Sequence, residues 1–239
     1  DIKALILTPT RELAIQIDES FTDYGKYTPL RHCVIFGGVK QKSQTDKLQK
    51  GVDVLIATPG RLLDLINQKY ISLNSIRHFV LDEADRMLDM GFIHDIKRIL
   101  PLLPRDRQTL FFSATMPPEI LAITKKYQND PVIIKIEAKS KTVDLIEQFY
   151  FEVAMGRKTD ALKLLLAAYS PKSSMVFCNT KKMVDELTEE LLKGGFKAAG
   201  LHGDMKQGQR TQVMNSFKGG SISVLVATDV AARGIDVSG

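Results

Sequence analysis

Three acidic residues in the stretch "RHFVLDEADRMLDMGF" (77–92) are the strongest candidates for chemistry in this sequence. Asp82, Glu83 and Asp85 directly follow an apolar run that is typical of a buried strand. Carboxylates in that position are costly to desolvate unless a positive charge meets them. The three carboxylates therefore either reach solvent at the start of the next helix or bind a cation. In the second case Asp82 can bind Mg²⁺ while the adjacent Glu83 aligns a water molecule.

Six other short segments share small residues, threonines and arginines at points where a strand pattern gives way to a helix. They are "LTPTRE", "FGGVK", "ATPGR", "CNTKK", "LHGD" and "ATDVAARG". In a parallel sheet, ligands collect beyond the carboxyl ends of the strands, where the next helix presents free N–H groups. Each segment alone is also ordinary turn chemistry. Together the six segments favour a surface that binds successive phosphates of one nucleic-acid strand.

The elements that must position these segments are short apolar strands alternating with amphipathic helices. One helical pattern covers 11–27, and another begins at Lys181 with Thr180 as its N-cap. The apolar face of the first is formed by Leu13, Ile17, Phe21 and Tyr24. The strand candidates are "ALIL", "CVIF", "VDVLIAT", "HFVLDE", "TLFFSAT", "VIIKI", "IEQFYFEV", "SMVFCN", "AAGLH" and "SVLVATD". This alternation predicts an α/β fold with mostly parallel, doubly wound sheets.

The sequence also contains an internal duplication. The segment "DVLIATPGR" resembles "SVLVATDVAARG", and 48 residues separate Thr10 from Thr58, as they separate Thr180 from Thr228. The polar segment "EAKSKTVD" lies between the two halves. We therefore predict two tandem domains, 1–137 and 144–239, joined by a linker over 138–143.

Composition restricts the function classes. The net charge of +5 is compatible with a polyanionic partner without requiring one. No apolar stretch approaches the roughly 20 residues of a membrane span, so we expect no membrane partner. The two cysteines, Cys33 and Cys178, lie in strand patterns, which favours buried thiols in a reducing compartment over a metal site. We expect a cytoplasmic monomer, or a nuclear or nucleolar one in a eukaryotic host.

In their order along the chain, the motifs resemble those of the DEAD-box RNA helicases. The matching segments are "PTRELA" (9–14), "GG" (37–38), "TPGR" (58–61), "DEAD" (82–85), "SAT" (113–115), "VFCNT" (176–180), "HGDM" with "QR" (202–205, 209–210) and "ATDVAARGID" (227–236). The resemblance covers essentially the whole chain. It implies two RecA-like domains, both truncated here, and ATP and Mg²⁺ as cofactors.

The resemblance also implies residue roles. Asp82 would position Mg²⁺, Glu83 would activate the hydrolytic water, and Asp85 would link its strand to Ser113 and Thr115, which couple nucleotide state to strand separation. Gly234 and Asp236 would meet the nucleotide from across the cleft. The implied RNA-backbone contacts are Pro9, Thr10, Arg11, Gly37, Gly38, Thr58, Gly60, Arg61, Thr180, Gly203, Gln209, Arg210 and Thr228. Such contacts predict binding of single-stranded or duplex RNA with little sequence preference, and possible partners among RNP proteins.

Three of the family's motifs have no counterpart in the sequence: the phosphate-binding Gly-x-x-x-x-Gly-Lys-Thr loop, the adenine-reading segment upstream of that loop, and the arginine-rich segment that supplies an arginine finger. We therefore expect the chain to be an excerpt of a longer protein. We also expect the chain by itself to lack appreciable ATPase activity. Two alternatives stay open at this point. One is a truncated, non-catalytic module that binds RNA or protein, and the other is a related DNA-directed helicase, which the combination of "PTREL", "TPGR" and "DEAD" disfavours.

Overall fold

The computed structural model describes residues 1–136 and 146–232, which form two compact units, Asp1–Asn129 and Asp130–Ala232, the latter interrupted at 137–145. Each unit is an α/β domain built on a parallel sheet, as the sequence predicts. No helix among these residues combines the length and apolar character that a membrane crossing requires. The predicted linker, 138–143, lies outside the described residues.

The first unit contains a five-stranded parallel sheet. Its strands are β1 (Ala4–Leu7), β2 (His32–Ile35), β3 (Val54–Ala57), β4 (His78–Leu81) and β5 (Gln108–Phe111). The strands lie in the order β2-β3-β1-β4-β5, so β1 pairs with β3 on one side and with β4 on the other. Every pairing is parallel, and all five carboxyl ends therefore meet at one edge of the sheet.

Helices connect these strands and cover both faces. They are α1 (Arg11–Tyr24), α2 (Lys42–Gln49), α3 (Pro59–Asn67), α4 (Ala84–Asp89), α5 (Ile93–Ile99) and α6 (Pro118–Tyr127), with a 3₁₀ turn over Leu100–Leu102. Alternate strand residues belong to different core clusters: Leu5 and Leu7 pack with Phe79 on one face, whereas Ile6 packs with Ile56 on the other. The strand sequences are continuous apolar runs, rather than alternating apolar and polar residues, because both faces of the sheet are buried.

The second unit has a three-stranded parallel sheet in the order β6-β8-β7. Its elements are α7 (Lys158–Tyr169), β6 (Ser174–Cys178), α8 (Lys181–Lys193), β7 (Ala198–Leu201), α9 (Gln207–Lys218), β8 (Val224–Thr228) and α10 (Asp229–Ala232). The central strand is the most buried, since Val224 and Val226 join a core formed with α7 and α8. Thr180 is the N-cap of α8 as predicted, and its side chain accepts from the Met183 N–H at 3.2 Å.

Four sequence-based expectations are wrong: two strands, the end of the first helix and the orientation of Tyr24. The segments 132–136 and 146–153 form no strand, because neither is paired with any strand that the structure describes. Their apolar side chains are mostly exposed, with Ile136 at 92%. The first helix ends at Tyr24 rather than at residue 27, and Tyr24 is 89% exposed instead of facing the core.

Candidate functional site

In the first unit, the segments that are predicted to bind RNA or nucleotide lie side by side, at the edge of the sheet where the carboxyl ends of the strands meet. Across the sheet from β2 to β5, the strand ends lead into Gly37, Thr58, Pro9, Asp82 and Ser113 in turn. The three segments predicted to contact RNA therefore follow the adjacent strands β2, β3 and β1. The acidic segment and its "SAT" partner follow β4 and β5. The predicted RNA contacts thus lie on one side of this edge, and the residues predicted to act on the nucleotide lie on the other. The boundary between the two groups falls between β1 and β4.

Asp82 and Glu83 lie at the sharp turn between β4 and α4. The Asp82 N–H still donates to the Leu7 carbonyl at 2.9 Å, which continues the sheet by one residue. Glu83 then adopts a left-handed backbone conformation, with φ 49° and ψ 50°. The Asp82 carboxylate accepts from the Glu83 N–H at 2.9 Å. A non-glycine residue in this conformation is strained, and such strain is concentrated at functional sites.

The environment of Asp82 suits a divalent cation. Burial raises the pKa of Asp82, an effect that the hydrogen bond from the Glu83 N–H partly offsets. Within 1–136 and 146–232, no group of three or more His, Cys, Asp or Glu side chains forms a metal cage. Mg²⁺ is commonly bound by one or two carboxylates together with substrate phosphates, so a partly desolvated aspartate beside a glutamate fits it. Asp82 would hold that ion, and the ion would neutralise charge on the phosphates beside it.

Asp85 joins the turn after β4 to the segment after β5. Thr115 donates to Asp85 Oδ2 from its backbone N–H at 2.9 Å and from its hydroxyl at 2.8 Å. In the other direction, the Asp85 N–H donates to Ser113 Oγ at 3.1 Å, and Ser113 Oγ donates to the Thr115 carbonyl at 2.6 Å. Burial alone raises the pKa of Asp85, but these hydrogen bonds outweigh burial and hold the pKa below its ordinary value. The predicted link between these three residues is present.

The segments after β1 and β2 are in contact. Thr10 is the N-cap of α1, and its hydroxyl accepts from the Leu13 N–H at 3.2 Å. Gly38 has a φ of +77°, and a methyl group added there would come within 2.7 Å of the Arg11 guanidinium. Thr10 and Pro9 are buried, whereas Gly38 is exposed. Of these predicted RNA contacts, the Gly38 backbone and the neighbouring Arg11 are thus the ones nearest to solvent.

The segment after β3 begins α3. Thr58 is its N-cap residue, with extended backbone and no capping bond from its side chain, and Gly60 is exposed in the first turn. Arg61 donates to the Val39 carbonyl at 3.3 Å and forms an ion pair with Asp64 at 3.6 Å. Its side chain is only 11% exposed. Arg61 is therefore engaged with the loop that carries Gly38.

The second unit has a similar edge. Thr180 follows β6, Thr228 ends the central β8, and Gly203 lies two residues beyond β7, so the three predicted contacts follow neighbouring strands. Thr180 and Gly203 are exposed. Lys181 and Asp204, one residue beyond each of them, form an ion pair at 2.5 Å.

The two remaining predicted contacts in this unit have structural partners. Gln209 accepts from the Lys206 N–H at 3.1 Å through its side-chain oxygen, at the start of α9. Arg210 is 7% exposed and donates to the carbonyls of His202 and Ala231, both at 3.2 Å. Arg210 thus ties the loop after β7 to α10. Gly234 and Asp236 lie outside the described residues.

Sequence reasoning did not single out Thr8, which lies within "LTPTRE", or Gln44, although both are buried polar residues. Thr8, at the end of β1, is fully buried, and its hydroxyl has no hydrogen-bond partner among the described residues. Gln44, in α2, is 6% exposed and bonds to the backbone of Phe36. The Thr8 position carried a signal, since it is a polar residue at the end of an apolar run. Gln44 carried none, because nothing in a polar helix marks which side chain turns inward.

Comparison with protein families decides the identity. The DEAD/DEAH box helicase model matches residues 1–123, and the helicase conserved C-terminal domain model matches residues 157–239. The chain belongs to the DEAD/DEAH box helicase family. The first match lies within the first compact unit, and the second match begins within the second compact unit.

The curated relatives of this helicase chain are about twice its length. The ATP-dependent RNA helicase CshA of Limosilactobacillus reuteri is 46% identical over 239 residues, covering 100% of this chain and 48% of that protein. The DEAD-box ATP-dependent RNA helicase CshA of Geobacillus kaustophilus is 47% identical over 238 residues, covering 100% of this chain and 51% of that protein. The chain therefore spans about half the length of the relatives it matches.

Solved helicase structures share the fold. Saccharomyces cerevisiae Dbp5 bound to RNA and ADP BeF3 matches with a TM-score of 0.86 and 33% identity, covering 99% of this chain and 60% of that one. A DEAD box protein from the hyperthermophile Methanococcus jannaschii matches with a TM-score of 0.56 and 44% identity, covering 99% of this chain and 64% of that one.

Proposed function

We propose that the protein containing this chain is an ATP-dependent RNA helicase, which couples ATP binding and hydrolysis to the opening of RNA duplexes or the remodelling of RNP particles. One observation carries the proposal: the Gly37, Thr58 and Pro9 segments lie on adjacent strands, directly beside the acidic turn at Asp82. This arrangement puts a backbone-binding surface next to a cation site. The relatives named as ATP-dependent RNA helicases, and the RNA-bound state of Dbp5, support it.

The proposed chemistry divides between neighbouring residues. Asp82 holds Mg²⁺, which neutralises phosphate charge, and Glu83 orients the water that attacks the terminal phosphate. Asp85, Ser113 and Thr115 transmit the state of the nucleotide to the rest of the sheet edge, because their hydrogen bonds span two strand ends. Gly234 and Asp236, which lie outside the described residues, are also proposed to contact the nucleotide.

RNA is proposed to bind through its sugar-phosphate backbone along the strand ends of each unit. Contacts of this kind carry no base readout, so we expect little sequence preference. The proposed contact residues are Pro9, Thr10, Arg11, Gly37, Gly38, Thr58, Gly60, Arg61, Thr180, Gly203, Gln209, Arg210 and Thr228. Arg61 and Arg210 also support neighbouring loops, through hydrogen bonds to the backbone carbonyls of Val39, His202 and Ala231.

The test measures ATP hydrolysis by the full-length protein with and without single-stranded RNA. We expect RNA to stimulate hydrolysis, Glu83→Gln to abolish it, and the Glu83→Gln protein still to bind RNA when ATP is present. Glu119→Gln, which removes an exposed carboxylate from α6 in the same unit, is the matched control and should hydrolyse ATP normally.

Two outcomes contradict the proposal. RNA binding without any hydrolysis by the wild-type protein would favour a non-catalytic binding module. Stronger stimulation by DNA than by RNA of the same sequence would favour a DNA-directed helicase.

A further inference from the structure

The loop that carries Gly37 and Gly38 is held by Arg61, one of the proposed contacts, and by three glutamines that are not among them, Gln41, Gln44 and Gln68. We propose that Gln44 is a positioning residue, which fixes the backbone of this loop in the conformation that binds an RNA phosphate. The pair formed by Gln41 and Gln68 is the second support of the same loop. This inference rests on the proposed RNA-binding function and adds to it the residues that prepare the surface.

Gln44 bonds to both backbone groups of the residue that precedes the glycines. Its side-chain oxygen accepts from the Phe36 N–H at 3.2 Å, and its Nε2 donates to the Phe36 carbonyl at 3.1 Å. Phe36 is the first residue beyond the pairing of β2 with β3, which ends at Ile35. The Gln44 amide therefore replaces the neighbouring strand at that point. Because Gln44 is 6% exposed, water does not substitute readily for these bonds.

The far end of the loop is joined to α3. Gln41 donates to the side-chain oxygen of Gln68 at 2.6 Å, and Gln68 donates back at 3.2 Å. Gln68 also donates to Asp64 at 2.8 Å, and Asp64 pairs with Arg61, which donates to the Val39 carbonyl. The loop is thus supported at its beginning, middle and end.

A loop of this composition needs such support. Glycine loses more conformational freedom on ordering than any other residue, and Gly38 is in the left-handed region. If the loop were free, RNA binding would have to supply that ordering, which weakens the observed affinity. Gln44 orders the loop before RNA arrives. It carries no charge, so its effect on affinity is separable from that of a cationic phosphate contact.

The test measures binding of a fluorescent single-stranded oligouridine to the full-length protein, with a non-hydrolysable ATP analogue, across a series of salt concentrations. Gln44→Met keeps the shape of the side chain and removes both hydrogen bonds. We expect it to weaken binding on the order of tenfold, because the loop must then be ordered by the RNA. The slope of log K against log salt should stay unchanged, because no phosphate-neutralising cation is lost.

Two further variants provide the comparison. Gln49→Met makes the same change at an exposed position at the end of the same helix and should bind like the wild type. Arg11→Ala removes a cation and should reduce the magnitude of the salt slope by about 0.7, the value for one phosphate contact on a single strand. Gln44→Leu also removes both hydrogen bonds to Phe36 and adds no charge. It should weaken binding as well, and it decides the matter if Gln44→Met fails to fold.

The outcomes separate the two proposals. If the wild-type protein does not bind the oligouridine at any salt concentration, the proposed RNA-binding function is overturned, and the positioning role with it. If the wild type binds and the folded Gln44 variants bind equally well, only the positioning role is overturned. A smaller slope of log K against log salt in Gln44→Met than in the wild type would also overturn the positioning role. Gln44 would then be maintaining contacts between cationic side chains and phosphates.

Discussion

Thr115 donates two hydrogen bonds to one carboxylate oxygen of Asp85, from its backbone N–H at 2.9 Å and from its hydroxyl at 2.8 Å. The residues are 30 positions apart and lie beyond the ends of neighbouring strands, β4 and β5. The contact is therefore a direct connection between the acidic segment and the segment proposed to act in strand separation. Any change at one strand end that moves Asp85 must move or break this connection.

Thr115→Val removes the hydroxyl bond and keeps the shape of the side chain. We expect the free energy of unfolding at pH 7 to fall by about 1 kcal/mol, the usual contribution of one such hydrogen bond. Thr115→Ser keeps the hydroxyl and should lose less. Urea denaturation of the three proteins measures the difference. Equal stability of the valine and serine variants would contradict a contribution from this bond.

The same pair predicts a dependence on pH. The pKa of Asp85 lies below its ordinary value of about 3.9, so its stabilising effect is present above that value and is lost as the pH falls toward the native pKa. Thr115→Val weakens the bonds that depress this pKa. The stability difference between wild type and Thr115→Val should therefore shrink between pH 7 and pH 3. A difference that is independent of pH would show that Asp85 is not involved.

The left-handed conformation of Glu83 predicts an order of stability among its variants. Because an alanine keeps the Cβ atom and a glycine lacks it, Glu83→Gly should be more stable than Glu83→Ala by about 1 kcal/mol. At an ordinary helical position the order would be reversed. Chemical denaturation of both variants measures this difference, and both should lack ATP hydrolysis in the full-length protein. Greater stability of the alanine variant would show that no strain is stored at this turn.

Gly38→Ala combines two effects, backbone strain and displacement of the Arg11 guanidinium. Gly91 is the matched control, because its φ of +79° is nearly the same and an added methyl group there meets no neighbour within 4 Å. Both substitutions should cost about 1 kcal/mol of stability. Only Gly38→Ala should weaken binding of single-stranded RNA, as measured by fluorescence anisotropy. Equal RNA affinity in the two variants would argue against a contact at Gly38.

The cysteines should be unreactive in the folded protein. Burial raises the pKa of Cys33 to about 11 and raises that of Cys178 as well, so little thiolate forms at pH 8. We expect intact-mass measurements after iodoacetamide treatment to show no modification of the native chain and two modifications in denaturant. Rapid single modification of the native chain would show that one thiol is exposed.

The sequence by itself determined the local chemistry of this protein. Apolar runs that end in "DEAD", "PTRE" or "TPGR" can be recognised in the sequence because both of their causes are local. A strand of a parallel sheet is buried on both faces and is therefore apolar throughout, and the first N–H groups of the next helix favour polar residues at the strand end. The Thr180 N-cap was predictable because a threonine directly before a helical pattern is itself a local signal. The segments 132–136 and 146–153 have an equally apolar pattern, but no described strand pairs with them, and the pattern cannot reveal whether a partner is present.

Only the tertiary structure decided which of these segments are neighbours. β1 comes first along the chain, yet it lies between β3 and β4, and this places the Pro9 segment beside Asp82, more than 70 positions away. The inward orientation of Gln44 and the enclosure of Arg61 by Val39 and Asp64 were likewise decided by packing. Strand order and side-chain burial depend on contacts between distant residues, and no local pattern of residue types encodes them.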